Sequence, residues 1–148
     1  MGILPLTKGQ VEWFSEKDES LIVRSYSGTR EKPYPFGLTL QSDGVCGEEK
    51  VTERLITALN VSGIDCSQTE AKQILEEWGM SHRGEDRVSQ LSAGLRRRLA
   101  VISGMAPAMM CEAPRLVFLD EPSEGLDSFS KGVLKKWIGE LSQYGNAI

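Results

Sequence analysis

The sequence has no apolar run long enough to cross a bilayer, no C-x-x-C pair and only one histidine, His82. Without such a run, no helical membrane span is expected within these residues. The three cysteines, Cys46, Cys66 and Cys111, are odd in number and lack metal-ligand spacing. A disulfide framework or a zinc site is therefore not expected, and a reducing, cytosolic compartment is expected. The opening MGILPLTK is too short in its apolar part for a signal peptide, and it puts Leu6 where a myristoylation signal needs Ser or Thr. Attachment to a membrane would have to run through a partner protein. There is no basic excess either: 17 basic residues face 21 acidic ones, net −4, so no nucleic-acid partner is expected despite the cluster Arg96, Arg97, Arg98. Repeats and low-complexity tracts are absent, and so is the phosphate loop G-x-x-x-x-G-K-[ST].

What is present suits one domain with a real core: 148 residues, 40% of them hydrophobic. Two short strands are predicted at QVEWF (10–14) and LIVR (21–24), around the turn SEKDES. Glycines and prolines crowd the stretch from Tyr26 to Gly47, which reads as a loop. Val51, Leu55, Ile56 and Leu59 have helical spacing. A second helix begins at a Ser67–Glu70 capping box, carries Ala71, Ile74, Leu75 and Trp78 on one face, and stops at Gly79. Residues 80–90 are polar and read as irregular. From Ser92 a helix bearing Leu95, Leu99, Ile102 and Met105 runs toward a connector at Met109–Ala113, broken by Pro107 and Pro114. Leu116–Leu119 is a continuous apolar run of the kind buried in a parallel sheet. A last helix, about Ser128 to Tyr144, has Val133, Leu134, Trp137, Ile138 and Leu141 on one face, and a further strand would begin at Asn146.

Two stretches carry chemistry. In LVFLDEPSEGLD (116–127) a buried strand runs into Asp120 and Glu121, at the sheet edge where α/β proteins bind ligands. Neighbours on a strand point to opposite faces, so the two carboxylates would do different work. One could hold hydrated Mg²⁺ and the other polarise a water for attack on a phosphoryl group. The plain alternative is a strand ending in an acidic turn. A calcium loop beginning at Asp120 fails, because Pro122 and Lys131 stand where ligands are required. In VSQLSAGLRRRLA (88–100), Ser92, Ala93 and Gly94 open a helix whose N-terminal amides could hold an anion, or the serine could simply cap it. Three arginines in the first turns oppose the helix dipole, and alone they read as a solvated face.

Together, Leu91-Ser92-Ala93-Gly94-Leu95 and, 21 residues on, Leu116–Pro122 with Ser123–Asp127 resemble the nucleotide-binding domains of ATP-binding-cassette (ABC) ATPases. These domains carry a signature helix, a Walker B strand with a catalytic Glu, and a D-loop in that order. Gly2, Pro5, Thr7, Gly9 and Val11 also match the family's turn after the phosphate-loop helix, and 51–78 has the length of its helical subdomain. The resemblance implies an α/β, P-loop NTPase-like parallel sheet with a small helical subdomain, incomplete at both ends. Residues 1–45 would form part of the core with the Q-loop region, 46–90 the helical subdomain, and 91–148 the signature helix, Walker B strand, D-loop and following helix.

The resemblance further implies that Asp120 orients Mg²⁺ and its waters and that Glu121 polarises the attacking water. Ser92, Ala93, Gly94 and Leu95 would close on the γ-phosphate of ATP bound to a second nucleotide-binding subunit, and Asp127 would touch that subunit across the dimer. ATP and Mg²⁺ are the cofactors, and a transmembrane transporter subunit is the other partner. The protein would sit at the cytoplasmic face of the membrane through that subunit. Ala93 and Leu95 stand where the family favours Gly and Gln, and Tyr26–Phe36, where its Q-loop is expected, contains no Gln; Gln41 comes later. The phosphate loop would precede Met1 and the switch histidine would follow Ile148. The expectation is therefore an ABC transporter ATPase whose 148-residue segment is inactive alone. The alternative is a non-catalytic module that docks on a membrane subunit.

Overall fold

The computed structural model describes residues 7–14, 20–25, 37–39, 47–111 and 116–143. It divides into two compact units, Met1–Tyr34 and Pro35–Ile148. In the first, β1 (Gln10–Phe14) pairs antiparallel with β2 (Ser20–Ser25), with a register irregularity between Val11 and Glu12. Both expected strands are present.

In the second unit, β3 (Gly37–Thr39) lies parallel to a strand from much later in the chain, β4 (Val117–Leu119). Between them come α1 (Val51–Val61), α2 (Gln68–Glu77) and α3 (Ala93–Met109); α4 (Ser128–Gln143) follows β4. β3 corrects the expectation of a loop from Tyr26 to Gly47. Three residues beside a glycine contain no period to read, and their pairing is decided by a distant strand. Residues 26–36, Gln41 and the strand expected from Asn146 lie outside the described residues.

The helices form where their apolar periods place them. Val51, Leu55 and Leu59 of α1 and Ala71 and Leu75 of α2 are buried, with Trp78 just beyond. They share one core with Leu99, Ile102 and Met105 of α3 and Leu134, Trp137 and Leu141 of α4. Trp78 meets Trp137 edge-to-face, with ring centroids 5.1 Å apart, an arrangement favoured by the ring quadrupoles. The α2 capping box closes as expected: Ser67 Oγ accepts from Glu70 N at 3.2 Å, and a Glu70 carboxylate oxygen accepts from Ser67 N at 2.8 Å. Gly79 ends the helical run at φ +66°, a left-handed value suited to glycine.

Two segments depart from expectation. α3 does not stop before Pro107 but runs through it to Met109, with Pro107 and both its neighbours buried. Proline removes one helical hydrogen bond; the ladder resumes where Met110 N donates to Ala106 O at 2.9 Å, and burial of the surrounding face holds the helix. Residues 80–90 are ordered around two short 3-10 turns, Ser81–Arg83 and Val88–Gln90. Their carbonyls cap α1: Val51 N donates to Asp86 O and Thr52 N to Gly84 O, both at 3.0 Å. Helix N-termini leave such amides without partners, so a polar segment was needed at that place. Met80, Val88 and Leu91 from the same region enter the core.

Candidate functional site

The site begins at the carboxyl end of β4. Asp120 N still donates to Thr39 O at 3.0 Å, so the ladder extends one residue past the strand and fixes the Asp120 backbone. Glu121 then turns into the left-handed region at φ +45°. For a residue with a Cβ this conformation costs about 1–3 kcal/mol, and such positions cluster at functional sites. Strand alternation therefore ends at Asp120. The direction of Glu121 is set by the turn, in which Glu124 N donates to Glu121 O at 3.0 Å. Both acidic residues are exposed.

Beside this turn stands the N-terminus of α3. Ser92 caps it, its Oγ accepting from Leu95 N at 3.3 Å. Ser92, Ala93 and Gly94 are exposed, so their backbone faces solvent at the positive end of a seventeen-residue helix. Leu95 is half-buried and packs against the core; its contribution to an anion site is limited to its backbone. A Cβ on Gly94 would sit 3.8 Å from Gly125 O, so helix start and turn are in direct proximity.

The arginine run is not a solvated face. Arg97 is only 4% exposed, and its guanidinium donates to the carbonyls of Glu121 at 2.8 Å and Glu124 at 3.1 Å, with Asp120 O at 3.5 Å. Arg98 donates to Trp78 O at 3.0 Å and pairs with Asp127 Oδ2 at 2.6 Å. Arg96 donates to Leu91 O at 2.6 Å. The charges oppose the helix dipole because each is bound to a backbone carbonyl outside the helix. That mismatch between charge and dipole was the one sign of them in the sequence.

Asp127 serves the fold locally as well. Its Oδ1 accepts from Ser130 N at 2.8 Å and so caps α4. The Ser130 amide first, and then the Arg98 guanidinium, hold the Asp127 carboxyl below the usual aspartate value. A depressed folded value means that the carboxylate stabilises the fold above the unfolded pKa, and that this is lost as pH falls through the folded one. Asp127→Ala is expected to destabilise the chain by about 1 kcal/mol at neutral pH. The gap from the unsubstituted chain should begin to narrow below about pH 4. Urea denaturation at pH 7 and pH 3 checks both; an equal gap at the two pH values would contradict the assignment.

Among the described residues, no three His, Cys, Asp or Glu side chains converge as a metal cage. One exposed carboxylate at a strand end nevertheless fits Mg²⁺, which keeps several waters and is bound by one or two carboxylates plus phosphates. The structure thus brings Ser92–Gly94, Asp120, Glu121 and Asp127 around one helix start and one turn. It adds Thr39, which the sequence does not mark, and Arg97 and Arg98, which the sequence marks only as part of a solvated face.

No protein-family profile matches the chain. Its sequence is 28% identical over 149 aligned residues to the bacitracin transport ATP-binding protein BcrA of Bacillus licheniformis, covering 99% of this chain and 44% of that protein. It is 31% identical over 120 residues to the lipoprotein-releasing system ATP-binding protein LolD of Anaplasma marginale, covering 80% of this chain and 48% of that one. The chain spans about half the length of the curated relatives it matches. In structure it is similar to the ATP-binding subunit of an ABC transporter, with a TM-score of 0.61 and 20% identity over 74% of this chain and 44% of that one. A metal-chelate type ABC transporter described as inward-facing aligns with a TM-score of 0.53 and 19% identity, covering 84% of this chain and 50% of that chain. At such identities the structural likeness is one of fold.

Proposed function

We infer that this chain, a segment of an ATP-binding-cassette nucleotide-binding domain, contributes the signature helix, Walker B carboxylates and D-loop to an ATPase that powers a membrane transporter. One observation carries the reading: the exposed, Ser-capped start of α3 stands against the turn that holds Asp120 and Glu121. A helix start of this kind suits a phosphate, and a left-handed glutamate beside a strand-end aspartate suits hydrolysis of one. A second reading, a docking module without catalysis, has less support because both carboxylates are present and exposed.

The geometry supports a role for each residue. Ser92 Oγ takes the Leu95 amide with one lone pair and can still donate its own proton to a phosphate oxygen, beside the amides of Ala93 and Gly94. These residues would serve the ATP of a second nucleotide-binding subunit, so that ATP binding and dimerisation become one event. Mg²⁺–ATP, when bound, would supply the phosphoryl group and the neutralising charge. Asp120 would hold the ion, and Glu121 would accept a proton from the attacking water at a carboxylate oxygen. Asp127 contacts the second subunit near the same edge. No helix among the described residues is long and apolar enough to cross a membrane; attachment at the cytoplasmic face runs through a transmembrane subunit.

The 148-residue chain alone is expected to show no ATP turnover, because it contains no phosphate loop. A polypeptide that supplies a phosphate-loop segment ahead of Met1 is expected to turn over ATP. Turnover by the chain alone would refute the division of labour. A phosphate-loop-bearing form that binds ATP without hydrolysing it would favour the docking module.

A further inference from the structure

We propose that Arg97 is a positioning residue for ATP hydrolysis: from the signature helix it clamps the backbone of the Asp120–Glu124 turn and thereby aims the Glu121 carboxylate. This rests on the reading of Glu121 as the base. Burying a guanidinium is costly unless its N–H groups are bound. A long basic side chain near a helix start can ordinarily reach water, yet Arg97 is 4% exposed, the most buried of the three adjacent arginines.

What Arg97 obtains by turning inward is a set of carbonyls in one turn. Nη2 donates to Glu121 O at 2.8 Å and Nε to Glu124 O at 3.1 Å. The Glu121 carbonyl thus accepts two donors, Arg97 and the Glu124 amide, on the peptide that follows its left-handed Cα. Two bonds directed at that carbonyl hold a conformation that glutamate would not keep by itself. The guanidinium fork matters: Nε and Nη2 reach two carbonyls at once, whereas a lysine ammonium has neither that planar spread nor the fixed geometry. The Arg97 stem also lies against the turn, its Cγ 3.4 Å from where Gly125 would carry a Cβ.

Arg97 is three residues beyond Gly94, so the clamp joins two functions that act on different nucleotides. The start of α3 serves the ATP of the other subunit, while Glu121 serves that of its own. With Arg97 in place, helix start and catalytic turn move together, and dimer closure on one ATP carries Glu121 with it.

The test combines amide exchange on the 148-residue chain with kinetics on the phosphate-loop-bearing polypeptide. In Arg97→Met, exchange at the Glu124 amide should accelerate at least about tenfold while that at Arg96, within α3, stays unchanged. Turnover should fall about 10- to 100-fold with the KM for ATP unchanged, as expected for a misaimed group. Arg97→Lys should restore the charge without restoring turnover. Unchanged exchange at Glu124, a loss confined to KM, or full rescue by lysine would each overturn the proposal. Should Arg97→Met fail to fold, Arg97→Lys decides with the same two measurements. If the unsubstituted polypeptide has no turnover, the functional reading fails, and the exchange measurement still decides whether the clamp exists.

Discussion

Gly104→Ala is expected to destabilise the Pro35–Ile148 unit by roughly 3 kcal/mol, a large share of the stability of any small domain. Inside a helix the same change normally stabilises, by about 1 kcal/mol. Gly104 is different because β3 crosses α3 at backbone distance. A Cβ there would lie 2.4 Å from Leu38 O, 2.9 Å from Leu38 C and 2.6 Å from Thr39 Oγ1. The approach is mutual, since a Cβ on Gly37 would lie 2.6 Å from Gly104 O. Neither strand nor helix can withdraw cheaply. β3 is held to β4 by Gly37 N to Leu116 O at 3.1 Å and by Asp120 N to Thr39 O at 3.0 Å.

The control is Gly139→Ala, in α4, where an added Cβ meets nothing within 4 Å; there the gain of about 1 kcal/mol should appear. Urea midpoints of the two variants should move in opposite directions. If both rose, β3 would not be packed on α3 as described. The clash also reaches the site, because the Thr39 carbonyl that would be pushed away is the one that fixes Asp120.

Glu121→Gln is expected to lower ATP turnover of the phosphate-loop-bearing polypeptide about 10²- to 10⁴-fold, the contribution of a positioned general base. The amide is nearly isosteric but cannot take the proton of the attacking water. Binding should survive, so ATP should accumulate unhydrolysed and the ATP-bound dimer should persist. Radiolabelled nucleotide retained on size exclusion, beside steady-state turnover, measures both. Turnover within a few-fold of the unsubstituted protein would remove Glu121 from the catalytic role and leave its left-handed conformation without a functional reason. Because the substitution keeps the backbone that Arg97 clamps, thermal unfolding should not change, which separates this variant from Gly104→Ala.

Some of the site was legible in sequence because its marks are local. The helical period of α1, α2 and α4, the Ser67–Glu70 box, and the serine at the start of α3 each depend on residues within a turn of one another. The apolar run Leu116–Leu119 leading into Asp120 and Glu121 was legible for the same reason. So was the order of LSAGL before LVFLDEP, which pointed to the family before any contact was known.

Tertiary structure alone decided the rest. β3 is a strand because β4 lies beside it, and nothing in Gly37–Thr39 announces that. Pro107 stays helical because its surroundings are buried, and residues 80–90 are ordered because α1 needs acceptors at its start. Arg97 looked like surface and is core, since its carbonyl partners lie 23 to 27 residues further along the chain. The sequence by itself determined where β1, β2, α1, α2 and α4 form and which residues carry charge and carboxylate, because propensity and period act over a few residues. Only the fold decided how Glu121 is held and which backbone Arg97 grips, because those outcomes depend on groups that folding brings together from distant parts of the chain.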